Sequence, residues 1–166
     1  MIAILAVCGL VALQRLVELI HAARNTRALL ARGAIEVGAS HYPFFIVLHG
    51  SWLLCTAAVA LATHARTNWW FVGLFALLQC GRVWVIATLG SYWTTRIVTL
   101  PGAPLVRTGP FRFVRHPNYL IVTIEIATLP LAFGEWAVAI AFTLLNAALL
   151  AFRIREEERA LSDRRG

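Results

Sequence analysis

Reactive groups are scarce in this 166-residue chain, and they cluster. The segment Gly109-Pro110-Phe111-Arg112-Phe113-Val114-Arg115-His116-Pro117-Asn118-Tyr119 sets two arginines and a histidine among prolines and aromatic rings. Pro117 fixes its own φ and holds His116 away from the α region. The imidazole is therefore presented by stiff, non-helical backbone just where the next helix begins. N–H groups at such a helix start can hold a carboxylate, and Asn118 suits the N-cap position. His116 is either a hydrogen-bonded loop residue or a titratable group on a ligand site. A second cluster, Arg153-Ile154-Arg155-Glu156-Glu157-Glu158-Arg159, follows the last apolar run. Arg153 and Glu157 are four apart and share a helix face. They form either an exposed ion pair of roughly a few tenths of a kcal/mol, or a functional pair. In the second case the carboxylate captures a ligand cation and the arginine orients an acceptor oxygen.

Charges also occur inside apolar runs. Arg15 and Glu18, three apart, can pair on one face, with His21 and Asn25 continuing the stripe. They either brace the helix or line a polar cavity. Arg82 sits in the middle of an apolar stretch, where an isolated charge is costly and seeks a carboxylate or a cavity. Glu125 is the candidate partner.

The elements that must carry these groups are membrane helices. Sixty per cent of residues are hydrophobic and 14% charged, against roughly 25% charged in a soluble domain. The expected fold is an all-α integral membrane protein: one domain over 1–166, with five spans near 1–20, 44–63, 69–93, 119–132 and 136–155. The last two read as a helical hairpin turning at Pro130 and Gly134, and the final helix is expected to run through Leu161. Residues 24–43 read as a connector, with Pro43 in the first turn of the second span. Residues 94–118 form a long link whose prolines and glycines exclude a continuous helix. Its Val98, Leu100, Leu105, Val106, Phe111 and Phe113 argue for an ordered cytoplasmic loop rather than disorder. Trp69-Trp70 reads as an interfacial anchor.

All 15 basic residues are arginine, a bias of GC-rich genomes that points to a bacterial source. The net charge of +7 need not mean nucleic acid, because the arginines alternate between links. Arg24, Arg27 and Arg32 crowd the first, Arg66 stands alone in the second, and Arg96, Arg107, Arg112 and Arg115 fill the third. The hairpin turn has none, and five more lie from 153 onwards. That alternation fits the N-terminus outside and the C-terminus in the cytoplasm, in a bacterial inner membrane. The first span reads as retained rather than as a signal peptide. Cys8, Cys55 and Cys80 read as buried free thiols, and no metal site is expected. Dinucleotide, P-loop, zincin and nucleophile-elbow patterns do not occur, which argues against a soluble nucleotide-binding fold.

The segment Gly109–Tyr119, followed by Arg153-Ile154-Arg155-Glu156-Glu157-Glu158-Arg159-Ala160-Leu161, resembles the isoprenylcysteine carboxyl methyltransferase family. The likeness covers about residues 94–161. The run from Arg24 through Arg32-Gly33-Ala34-Ile35-Glu36 to His41-Tyr42-Pro43 looks like a bacterial branch that includes O-methyltransferases of phenolic lipids and alkylpyrones. The resemblance implies an integral membrane enzyme using S-adenosylmethionine. It implies cofactor contacts at Arg96, Ala103, Pro104, Leu105, Val106, Phe111, His116, Pro117, Asn118, Tyr119 and Glu157. Arg153 falls on the acceptor side, and catalytic roles are expected for Arg153 and His116. Phe111 stands where the family often has Tyr, and Leu120 where eukaryotic members often have Gly. The implied partners are a lipophilic small-molecule acceptor and membrane lipid, with no nucleic acid. The acceptor is a phenolic or pyrone lipid or, alternatively, an isoprenylcysteine carboxylate. A non-catalytic reading, a small transporter or assembly subunit, would use Arg82 and Glu125 as a polar pathway.

Overall fold

The computed structural model describes residues 1–160. Five α-helices dominate: α1 (Ile2–Ala31), α2 (Tyr42–Ala62), α3 (Trp69–Leu89), α4 (Pro117–Leu131) and α5 (Trp136–Ala160). Four of them, α1, α2, α3 and α5, are long and apolar enough to cross a membrane. With 15 residues, α4 falls short of the roughly 20 needed for a crossing. Leu161 lies outside the described residues.

Helix α1 overruns its expected end near residue 20 by three turns. Arg24 and Arg27 are good helix formers, and no breaker occurs before Gly33. There the chain stops in a Schellman motif. Gly33 takes φ +87°, its N–H reaches the Leu30 carbonyl at 3.0 Å, and Ala34 N–H reaches Leu29 at 3.1 Å. The stretch 24–31, read as connector, is thus helix. Pro43 does sit in the first turn of α2, and Asn68 caps α3 by accepting from Trp70 N–H at 3.1 Å. Gly90 ends α3, and residues 90–92 form a 3-10 turn in place of the last residues of the expected third span.

Two short strands were not foreseen. β1 (Ile35–Val37) and β2 (Ile97–Thr99) pair antiparallel, with Glu36 opposite Val98. They tie the first connector to the long link, and Arg96 Nη1 reaches Glu36 Oε1 at 2.7 Å beside the ladder.

α4 packs most extensively, against α3 and α5. Its Pro130 has no N–H, which leaves the Ile126 carbonyl without its helical partner. Trp52 Nε1 of α2 donates to that carbonyl at 3.0 Å. The core gathers Ile4, Cys8, Trp52, Phe75, Ile126, Leu129 and Phe133 from α1 to α4 and the hairpin turn. Apolar side chains such as Leu10, Leu54, Leu77 and Leu144 face outwards, as lipid permits. The same inversion corrects the cysteine expectation. Cys8 is buried, whereas Cys55 and Cys80 are free and exposed on the lipid-facing surface, because an apolar run in a membrane helix has an outward side.

The charges inside the membrane form one network. Glu18 of α1 accepts from Arg82 of α3 through both oxygens, Nε to Oε1 at 2.8 Å and Nη2 to Oε2 at 2.7 Å. Arg15 Nη2 meets Glu125 Oε2 of α4 at 2.6 Å and Arg15 Nη1 meets Glu18 at 3.1 Å. Arg82 does approach Glu125, at 3.6 Å, yet its principal partner is Glu18. The expected pair is therefore one edge of a four-membered cluster of zero net charge. Gln79 donates to Glu125 at 2.8 Å and Gln14 to Glu18 at 2.9 Å, satisfying lone pairs that lipid could not.

Candidate functional site

The link 94–116 folds over the ends of the helices and, with them, encloses a cavity of about 1180 Å³. Gly109 begins a 3-10 turn, Gly109–Arg112, with φ +55°. A Cβ there would lie 2.6 Å from Thr88 Oγ1, so glycine is what lets this turn lie against α3. The N-cap of α4 is His116, not Asn118. Pro117 takes the first helical position, where its missing N–H costs nothing, and Asn118 falls one residue inside the helix. Asn118 Oδ1 instead accepts from Arg82 Nη1 at 3.3 Å, which couples the link to the intramembrane charge network.

The two charge clusters of the sequence meet here. The His116 and Tyr119 rings stack with centroids 5.3 Å apart. His116 Nδ1 lies 3.8 Å from Glu157 Oε2, and its Nε2 lies 3.8 Å from Glu158 Oε1. Arg153 and Glu157 do not bridge directly. The Tyr119 hydroxyl stands between them: it donates to Glu157 Oε2 and accepts from Arg153 Nε at 2.8 Å. Arg153 Nη2 donates to the Thr95 carbonyl at 2.9 Å. Its guanidinium lies 5.2 Å from the Phe45 ring centroid and 5.7 Å from that of Tyr119, and the side chain is buried. An arginine so fixed has little rotamer freedom left to lose when it meets a ligand.

His116, Pro117, Asn118, Tyr119, Arg153 and Glu157 all line the cavity, as do Arg96, Pro104, Leu105, Val106 and Phe111. Ala103 does not line it; its N–H is turned to the Leu100 carbonyl at 3.2 Å. Arg96, 4.6 Å from the Tyr42 ring centroid, is already committed to Glu36. Leu120 is exposed on the outer side of α4 and away from the cavity. Arg112 and Arg115 add positive charge to the rim.

Sequence reasoning missed three contributors. Trp93 and Asn146 line the cavity with buried polar atoms, Nε1 and Oδ1, that have no hydrogen-bond partner. His116 Nε2 and Arg15 Nε are in the same condition. Asn146 had a signal: it is the one amide in the apolar run of α5, seven residues before Arg153 and eleven before Glu157, hence on their face. Tyr42 had none, since its hydroxyl bond to Thr95 Oγ1 at 2.9 Å joins residues far apart in the chain.

The cavity also reaches into the bilayer zone. Leu16 and Leu19 of α1 and Phe45, Ile46 and Leu53 of α2 line it. Leu16 and Ile46 are 55% and 49% exposed. Apolar side chains of α1 and α2 thus form the wall of the cavity away from the link.

The model of the isoprenylcysteine carboxyl methyltransferase family matches residues 71–163. An uncharacterized protein of Bacillus subtilis, YpbQ, is 37% identical over 153 residues, covering 90% of this chain and 91% of the relative. An uncharacterized protein of Haemophilus influenzae is 30% identical over 143 residues, covering 84% and 83% respectively. No solved structure matches. The matched region runs from α3 through both walls of the cavity, and by this match the chain belongs to the isoprenylcysteine carboxyl methyltransferase family, whose members are membrane methyltransferases.

Proposed function

We propose that the protein uses S-adenosylmethionine to O-methylate a lipophilic acceptor, such as a phenolic lipid or alkylpyrone, that enters from the bilayer. The observation that carries this reading is the Arg153–Tyr119–Glu157 chain on one wall of a cavity whose other walls include apolar side chains of α1 and α2. The donor set fits the cofactor. Its sulfonium and ammonium call for a carboxylate, and Glu157 is held ready by Tyr119. Its own carboxylate calls for donors, and the unpartnered His116 Nε2 supplies one beside the start of α4. Pro104, Leu105, Val106 and Phe111 offer an apolar flank to the rest of the molecule.

Bound there, the cofactor would supply an electrophilic methyl group for the acceptor oxygen. The chain's share is mostly positioning, worth up to about 7–11 kcal/mol in favourable cases. Arg153, pinned by Thr95, Tyr119 and Phe45, directs the acceptor oxygen and stabilises the phenolate formed on deprotonation. Glu125 is buried against Arg15 and Gln79 and does not line the cavity. The acceptor proton is therefore assigned to His116. The apolar wall from α1 and α2 favours an acceptor with a hydrocarbon chain. An isoprenylcysteine carboxylate would also enter there but needs no base. We place the cofactor end in the cytoplasm of a bacterial cell, following the arginine-rich links.

The test is cofactor binding by calorimetry on the purified protein in nanodiscs, followed by methyl transfer to a long-chain phenol. Saturable binding and a methyl ether product are expected. Absence of binding sinks the enzyme reading, and methylation of farnesylcysteine alone replaces the acceptor.

A further inference from the structure

We propose that Tyr42 is a positioning residue for methyl transfer. Its hydroxyl holds Thr95, and the Thr95 carbonyl holds the guanidinium of Arg153. The first turn of α2 thereby sets the direction of an arginine carried by α5. This rests on the O-methylation reading and deepens it.

A guanidinium carries five N–H donors on one rigid plane. Arg153 spends Nε on the Tyr119 hydroxyl at 2.8 Å and a proton of Nη2 on the Thr95 carbonyl at 2.9 Å. These two anchors come from different elements. Together they fix the plane, and so the direction in which the remaining donors point. Tyr119 is carried by helix α4. Thr95 has no such support. It lies in a bend two residues before β2, outside the ladder, whose near end is the pair Val37–Ile97. Neither a helix nor a strand determines where its carbonyl points, so side-chain contacts must do so.

Tyr42 supplies that contact. The Tyr42 and Thr95 hydroxyls share a hydrogen bond at 2.9 Å. The tyrosine is itself held in place. It begins α2, and the Arg96 guanidinium, bonded to Glu36 at 2.7 Å, lies 4.6 Å from its ring centroid. Phe45 follows three residues later on the same face of α2, with its ring centroid 5.2 Å from the Arg153 guanidinium carbon. One face of α2 thus reaches Arg153 twice, directly through Phe45 and indirectly through Tyr42 and Thr95.

The experiment measures methyl transfer from S-adenosylmethionine to a long-chain phenol in nanodiscs. Tyr42→Phe keeps the ring and loses the hydroxyl. Its kcat should fall about tenfold, with the phenol KM and the cofactor Kd within about twofold of wild type. Thr95→Val removes the other half of the same bond. Its kcat should fall as far, and that of the double variant no further. In an Arg153→Lys background, where the fork is gone, Tyr42→Phe should change kcat by less than about twofold. Should Tyr42→Phe fail to fold, Thr95→Val in the same two backgrounds decides. A wild-type kcat in the folded variant overturns the positioning role and leaves O-methylation intact. So does an undiminished loss with Arg153→Lys in place, which would make the bond a general staple of the link. Cofactor binding by wild type without turnover of the phenol overturns the acceptor reading, and the positioning role with it.

Discussion

Glu157 and Arg153 are a helical turn apart, yet they do different work because of what each touches. Glu157 faces His116 and the Tyr119 hydroxyl, while Arg153 reaches away to the Thr95 carbonyl and the Phe45 face. Glu157→Ala should abolish cofactor binding, since it removes the carboxylate that balances the cofactor's cations. Arg153→Ala should spare binding but cut turnover on the order of 10²–10³-fold, the scale of losing a preorganised stabiliser of an oxyanion. Calorimetry and product formation measured on the same preparations separate the two. Equal cofactor affinity in wild type and Glu157→Ala would refute this division of labour.

At the scale of elements, the site depends on two devices that hold α4 and its preceding turn. One is Gly109, whose left-handed φ and contact with Thr88 leave no room for a side chain. Gly109→Ala should destabilise the fold by about 1–3 kcal/mol from backbone strain and raise the cofactor Kd, because the turn it displaces leads into His116. Thermal unfolding in detergent and titration of the same sample report both effects. The other device is the Arg15–Glu18–Arg82–Glu125 cluster, which joins α1, α3 and α4. Arg82→Met alone strands Glu18 with half its partners and should cost about 3–5 kcal/mol. Glu18→Leu combined with Arg82→Met leaves the neutral Arg15–Glu125 pair and should unfold at a higher temperature than Arg82→Met alone. If the double variant is the less stable of the two, charge balance is not what the cluster provides.

For the molecule as a whole, the governing feature is a cavity with two kinds of wall. The link 94–116 supplies arginines over one end, and α1 and α2 supply apolar side chains such as Leu16, Leu19 and Ile46 along the other, the wall through which the proposed acceptor would enter. Ile46→Trp should obstruct that entry. We expect a several-fold loss in kcat/KM for a long-chain phenol and unchanged cofactor affinity, with a short-chain phenol little affected. Equal losses for both chain lengths would place acceptor entry elsewhere.

Much of this was legible in the chain itself. Hydropathy marks the helices, because lipid leaves the backbone no hydrogen-bonding alternative. The motif from Gly109 to Tyr119 and the face shared by Arg153 and Glu157 supply side chains to one cavity, and both could be read because rigid punctuation and helical spacing are local properties. What lay beyond the sequence was every choice among distant partners. Arg82 had two carboxylates available, and only the tertiary arrangement gave it Glu18. Asn118 looked like a cap, and the geometry of Pro117 moved that role to His116 and turned Asn118 towards Arg82. The pairing of β1 with β2 joins residues some sixty positions apart, and the free oxygen of Asn146 exists only because the Thr123 proton is spent elsewhere. The sequence by itself determined that the chain is built of apolar helices and which groups can do chemistry, since both follow from composition and period. The tertiary structure decided which charge meets which and where a polar atom is left open, because in a bilayer those outcomes depend on helix register, which no local pattern encodes.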